Sequence, residues 1–227
     1  MILSHKHRFI FLKTKKTAST SVELALSQIC GPDDIITPIM EADERLRKGL
    51  GPQNWRRHSW FGSPRPLRKR RWFKIAAADY GFYGHMTAKE VLSFVGPEVW
   101  NSYFKFTFDR NPWDRQVSHY HFRYRNAARP PSFAQFLYRD RRARLNNYEI
   151  YSLGGSPAVD FLGRFENLAT DLAHVLQVLG VNQEVKIPKA KGSYRPLKPY
   201  RDYYDATTSA MVANWYEREI NLLGYTF

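Results

Sequence analysis

The sequence predicts a layered α/β fold around a largely parallel sheet. Two observations predict it. A strand, loop, helix unit occurs at residues 8–29 and again at about 103–120. Elsewhere, apolar runs of strand length alternate with segments of helical periodicity. In such a fold, ligand sits beyond the carboxyl ends of the strands, where the turns converge.

The first unit comes earliest in the chain. Phe9 to Leu12 is a short apolar run, and Lys13 to Thr17 breaks it. Val22, Leu24, Ala25, Leu26 and Ile29 then repeat at helical spacing, behind a Ser/Thr cluster able to cap a helix. Such a helix aims its free N–H groups and its dipole at one point, which favours an anion. Lys15 and Lys16 add charge; Thr17, Ser19, Thr20 and Ser21 add hydroxyls. The loop lacks both glycines of G-x-x-x-x-G-K-[ST], so an ATPase is disfavoured. On the local residues alone, a capped core helix with solvated lysines fits equally well.

Residues 31–44 read as loop, with Gly31-Pro32 and Pro38 as punctuation. Arg45 to Trp72 holds ten Lys/Arg and no acid, interleaved with Trp55, Trp60, Phe61 and Trp72. A basic, aromatic-studded irregular segment suits a polyanion or stacking on sugar rings; a solvated excursion is the plainer reading. Phe73 to Ala78 reads as a strand. Thr87 and Glu90 form a capping box behind Gly84-His85-Met86. Tyr103 to Phe108 is the second unit's strand, and Pro112 suits the first turn of its helix. Arg123 to Arg144 carries seven arginines against one acid. A helix starts at about Ser132, a strand lies within Val159 to Phe165, and Glu166 to Leu179 is amphipathic and stopped by Gly180. Ile187 to Tyr200 reads as loop, and Ala206 to Leu223 as one final helix.

The chain of 227 residues is expected to form one domain, 1–227, with a basic aromatic excursion at about 45–72. Its net charge of +14 points to anionic partners. A single cysteine, Cys30, excludes a disulfide framework and a Cys-rich zinc site, and its place after an apolar stripe makes it a buried thiol. No signal peptide or membrane-spanning run is visible. The chain is therefore expected to be cytoplasmic, or else a lumenal domain trimmed from a membrane-anchored enzyme.

Two segments resemble a known family. Lys13-Thr-Lys-Lys-Thr-Ala-Ser-Thr-Ser21 resembles the 5′-phosphosulfate loop of sulfotransferases that use 3′-phosphoadenosine 5′-phosphosulfate (PAPS), in the P-K-T-A-S-T-S form of the carbohydrate branch. Phe106-Thr-Phe-Asp-Arg-Asn-Pro-Trp-Asp-Arg-Gln-Val-Ser118 resembles that branch's 3′-phosphate segment, F-x-F-V-R-N-P-W-D-R-x-V-S. Tyr83 to Ala88, Gly163 to Leu168 and the Tyr-rich end are similar to family segments too. Lys15 stands where the family usually has Pro, and Asp109 where Val is common. The acid beside Arg110 should therefore point away from ligand.

The resemblance implies a P-loop-like, three-layer α/β sandwich. It also implies in-line, metal-independent sulfuryl transfer, catalysed by positioning and electrostatics, with 3′,5′-ADP as product. Lys16 would contact the oxygen bridging phosphorus and sulfur. The backbone N–H groups of Thr17, Ala18, Ser19 and Thr20 would cradle the 5′-phosphate, with the Thr20 and Ser21 hydroxyls. Arg110 and Ser118 would bind the 3′-phosphate, with Ser193 and Arg195 as further candidates from the late loop. His85 is the candidate general base, and His58 and His119 are its rivals. Trp55, Arg56, Arg57 and His58 are candidates for the acceptor, an anionic carbohydrate. No nucleic-acid partner and no metal is expected. A lipid or small-molecule sulfotransferase is the near alternative. A non-catalytic polyanion-binding module would explain the charge but not the two phosphate motifs, and a nucleotide kinase lacks its glycines.

Overall fold

The structure, a computed structural model, describes residues 1–56, 81–188 and 195–227. The strand expected at Phe73 to Ala78, most of the basic excursion, and Arg57, His58 and Ser193 lie outside the described residues.

The elements run β1 (Ile2–Ser4), β2 (Phe9–Phe11), α1 (Ser19–Leu26), β3 (Ile35–Ile36), α2 (Glu41–Glu44), α3 (Ala88–Ser102), β4 (Phe104–Asp109) and α4 (Pro112–Arg123). Then come α5 (Phe133–Arg139), α6 (Tyr148–Tyr151), β5 (Ser152–Leu153), β6 (Ser156–Pro157), β7 (Phe161–Arg164), α7 (Leu168–Val178), α8 (Ala206–Trp215) and α9 (Glu217–Leu223). Single 3-10 turns occupy Phe165–Asn167 and Tyr200–Tyr203.

The main sheet has the order β3-β1-β2-β4-β7. Strands β2, β4 and β7 are parallel neighbours, with Phe11 opposite Phe106 and Phe106 opposite Phe161. Strand β1 is antiparallel to both β2 and β3, so it alone among these five strands runs against the rest. The strand's two-residue period gives each strand two apolar faces. Phe9, Phe11, Phe106 and Phe108 point to one side, where Val22 and Leu26 of α1 and Leu172 and Val175 of α7 cover them. Leu3, Ile10 and Leu12 point to the other, against Val91 and Trp100 of α3 and Ile150 and Tyr151. Helices thus cover both faces of the sheet. A third cluster, built on Trp113, Val117, Phe136, Val212 and Tyr216, joins α4 and α5 to α8 and the start of α9.

Close packing explains one glycine of β7: a Cβ on Gly163 would lie 2.6 Å from the Phe108 ring. Cys30 is buried, as its position after the stripe of α1 predicts. The capping box at Thr87 and Glu90 is present, and Ser132 forms another at α5.

Several boundaries differ from the sequence reading. Ile2–Ser4 is a buried strand, although flanking polar residues hide it in so short a run. Residues 31–44 contain β3 and α2 rather than loop alone. Helix α3 breaks at Gly96, whose φ of 78° and following Pro97 end one helix and start another. The last helix is two, divided at Tyr216, whose φ and ψ of −124° and 26° are not helical. The described start of the basic segment is pinned to the body. Arg47 pairs with Glu44, the Leu50 N–H donates to the Ser27 carbonyl, and Gln53 bridges to Ile36.

Candidate active site

The loop between β2 and α1 lies at the carboxyl end of the parallel strands, and successive residues are held by different elements. Lys13 Nζ pairs with Glu23, a buried acid of α1. The Lys13 carbonyl accepts from His85 Nδ1 at 2.7 Å. Thr14 Oγ1 donates to the Phe108 carbonyl of β4 at 2.5 Å and meets Thr17 Oγ1 at 2.7 Å. The backbone of Lys15 is bonded to Asn147, and the Lys16 carbonyl accepts from Arg110 at 3.3 Å.

Anchored this way, the loop holds an uncommon backbone. Lys16 and Ala18 are left-handed, with φ of 63° and 56°. Each such non-glycine residue costs about 1–2 kcal/mol. Left-handed residues alternating with right-handed ones are the backbone pattern from which anion-binding nests are built. Ala18 is the N-cap of α1 and makes no side-chain cap bond. The capping role expected of the Ser/Thr cluster is therefore not filled. Ser19 Oγ donates back to the Thr14 carbonyl at 2.6 Å, so the Thr17 and Ser19 hydroxyls serve the loop itself. Thr20 and Ser21 are buried in the first turn of the helix. An uncapped helix start inside a nest is well formed to take an anionic group.

The second turn follows β4. Asp109, the residue that departs from the family pattern, is fully buried. Its carboxylate accepts from Arg115 at 2.5 Å, from Tyr151 Oη at 3.1 Å and from Asn147 at 3.3 Å. Arg115 also reaches Glu219 and lies over the Tyr216 ring. Arg110, the next residue, is buried as well. Its guanidinium lies 3.9 Å from the Phe165 ring centre and is paired with Asp114. Burial lowers the Arg110 pKa and Asp114 opposes the change. Asp114 is shared with Arg195, which brings the late-loop candidate next to Arg110. Asn111 caps α4 through Trp113 and Asp114, and Glu166 accepts the Asn111 N–H at 2.8 Å. Glu166 thus fixes the turn and, on these contacts, serves the fold. Ser118 is half-buried on α4 beyond Val117.

His85 precedes the buried Met86 and the capped start of α3. A carbonyl only accepts, so Nδ1 carries the proton and Nε2 keeps its lone pair in the neutral ring. Part of the ring meets solvent, yet crowding by its surroundings removes enough water to push the pKa down to about 4. The Lys13 carbonyl bond resists this change, while the charges of Lys13, the N-terminus and Lys15 assist it. The rival His119 is also pushed to about 4, first by burial and then by Lys16. Its Nδ1 is buried with no hydrogen-bond partner, and its ring lies edge-on to Phe136.

Lys16 Nζ lies 4.1 Å from the Phe122 ring centre. Of the acceptor candidates, Trp55 packs against the cluster that contains Met86, and exposed Arg56 stacks on it at 4.9 Å. The structure therefore brings Lys16, the loop N–H groups, His85, Arg110 and Arg195 to one end of the sheet. Sequence reasoning missed Asn147, Asp114 and the aromatic rests under Lys16 and Arg110. Only Asp114, four residues from Arg110, left a helical-spacing signal.

An uncharacterized protein of Archaeoglobus fulgidus is 28% identical over 113 residues, which is 45% of this chain and 88% of that protein. No solved structure matches significantly. The model of the sulfotransferase family matches residues 1–226, and by that match over nearly its whole length the chain belongs to the sulfotransferase family.

Proposed function

We propose that the chain, acting as a single domain, transfers the sulfuryl group of PAPS to a hydroxyl of a carbohydrate acceptor. One observation carries the reading: the Arg110 guanidinium touches the Lys16 carbonyl. The backbone N–H groups of the first turn and a buried cation thereby lie side by side. That is what a ligand with phosphates at two positions of one nucleoside requires. The donor supplies an activated sulfuryl group; the rest is the work of this chain's residues.

The first turn would hold the 5′-phosphate by the N–H groups of residues 17–20 and the hydroxyls of Thr20 and Ser21. Arg110 would hold the 3′-phosphate by its forked donors, with Ser118, Arg195 and Ser193 as further candidates. Asp114 pairs with both Arg110 and Arg195 and would hold them beside each other for that ligand. Lys16 is the charge available to stabilise the departing phosphate oxygen; moving it off Phe122 gives up a cation–π contact worth about 1 kcal/mol. His85, neutral at working pH and with Nε2 as acceptor, would take the acceptor hydroxyl's proton. The net charge of +14 and the exposed Arg56 and Trp55 support an anionic carbohydrate as acceptor.

The test is transfer of labelled sulfate from PAPS across glycans, lipids and phenols, alongside calorimetric binding of 3′,5′-ADP. Stoichiometric nucleotide binding with label entering anionic glycans is the expected result. Label in phenols or lipids alone would reassign the acceptor. Salt-sensitive binding to any polyanion without nucleotide binding would replace the enzyme with a binding module.

A further inference from the structure

We propose that Asn147 is a positioning residue for the loop that carries Lys16. This rests on the sulfuryl-transfer reading above, and it gives that reading a residue no phosphate motif contains. Asn147 is fully buried and occupies the N-cap position of α6, yet its side chain makes no cap bond there. An asparagine at such a position ordinarily caps its own helix. Here the carboxamide is used elsewhere. Its Oδ1 accepts from the Lys15 N–H at 2.9 Å, and its Nδ2 donates to the Lys15 carbonyl at 2.9 Å. The same Nδ2 donates to Asp109 Oδ1 at 3.3 Å.

One amide thus grips the first turn on both sides of Lys15 and ties it to the acid that precedes Arg110. Lys15 adjoins Lys16, whose left-handed φ of 63° is a torsion an unsupported chain relaxes. The far end of the tie is rigid. Asp109 is held by Arg115 and Tyr151, and Asn147 is fixed by Ile150 and Tyr151 packing in the core behind it. The tie requires an N–H at residue 15. A proline there would fix the backbone by its own ring and have nothing to donate. With lysine at that position, the restraint comes from across the fold.

The experiment measures kcat, KM and 3′,5′-ADP stoichiometry of the full chain for wild type, Asn147→Ala, Lys15→Pro and the double variant. Turnover is expressed per nucleotide-binding site, so a partly unfolded sample does not mimic a positioning defect. Asn147→Ala is expected to lower kcat about a hundredfold, the scale of a displaced catalytic group, with donor KM changed only severalfold. Adding Lys15→Pro to Asn147→Ala should cost far less than Lys15→Pro costs in wild type, because the bond it removes is already gone. If Asn147→Ala does not fold, Asn147→Gln keeps the acceptor and the donor but moves them one methylene further out, and should show the same split in kcat. Wild-type kcat per binding site in the variant that folds, or additive effects in the double variant, would overturn the proposal. A wild-type chain that binds no 3′,5′-ADP and transfers no sulfate would instead overturn the reading on which it rests.

Discussion

The two turns at the end of the sheet solve one problem by opposite means. The turn after β2 presents backbone: left-handed residues at Lys16 and Ala18, and a helix whose N-cap, Ala18, has no side chain to cap it. The turn after β4 presents one side chain, Arg110, and buries around it an ion network of Asp109, Arg115 and Glu219. The first turn holds strain that its anchors keep in place; the second is closed by buried ion pairs. Function is therefore expected to be fragile at the first turn and stability at the second.

Arg115→Met is the strongest way to break that contrast. It leaves two buried carboxylates, Asp109 and Glu219, without their cation. The expected loss is about 3–5 kcal/mol in urea unfolding. A loss below about 1 kcal/mol, the level of an exposed pair, would mean the network is not structural. Lys16→Ala attacks the other turn. Lys16 is only half-buried, so unfolding should be unchanged while turnover falls about a thousandfold, or about 4 kcal/mol of transition-state stabilisation. Near-wild-type turnover would remove Lys16 from the chemistry.

His85→Ala sharpens the comparison at the loop's base. Transfer should fall by at least about a hundredfold while 3′,5′-ADP still binds, and retained transfer would shift the base to another residue. The pH profile adds a check. With its pKa at about 4, His85 stays unprotonated far below the usual 6.5. The acid limb of kcat should then fall near pH 4–5, and a limb at 6.5 would contradict the crowded environment. Arg110→Ala should weaken 3′,5′-ADP by about 1.5–3 kcal/mol, the worth of a hydrogen bond to a charged group, and AMP by much less. Equal weakening of both nucleotides would show that Arg110 does not read the 3′-phosphate.

Sequence made the two turns legible because each is local. A strand, its loop and the helix after it lie within about 20 residues, and apolar period and Pro112 mark their limits. The β1 strand was hidden by its length, since Ile2 and Leu3 are too few to show a period. The helix break at Tyr216 was hidden because the helical spacing of Val212, Tyr216, Ile220 and Leu223 continues through it. The site's supports were hidden for a different reason. Asn147 lies 132 residues from Lys15, and Arg115 lies 104 from Glu219. A polar residue buried by tertiary contact has no sequence period to announce it. The strained torsions at Lys16 and Ala18 also carry no signal, since neither is the glycine that usually marks such a position.

The smallest effect concerns His119, which lies on the helix that follows the second turn. Its Nδ1 is buried without a partner, and its pKa falls from 6.5 to about 4 on folding. Between those two values the unfolded chain binds more protons than the folded one, so stability must drop as pH falls. The full contribution is present above pH 6.5, and the loss is complete near pH 4. His119→Phe keeps the edge contact to Phe136 as an aromatic pair and removes both the titrating ring and the orphaned nitrogen. Stability at pH 7.5 should be equal or higher by about 1 kcal/mol, the cost of an unmade buried hydrogen bond. The slope of unfolding free energy between pH 6.5 and 4 should lessen by up to one proton, leaving the share that belongs to His85. An unchanged slope in urea titrations at several pH values would place the acid sensitivity at other groups and make His119 an ordinary, hydrated histidine.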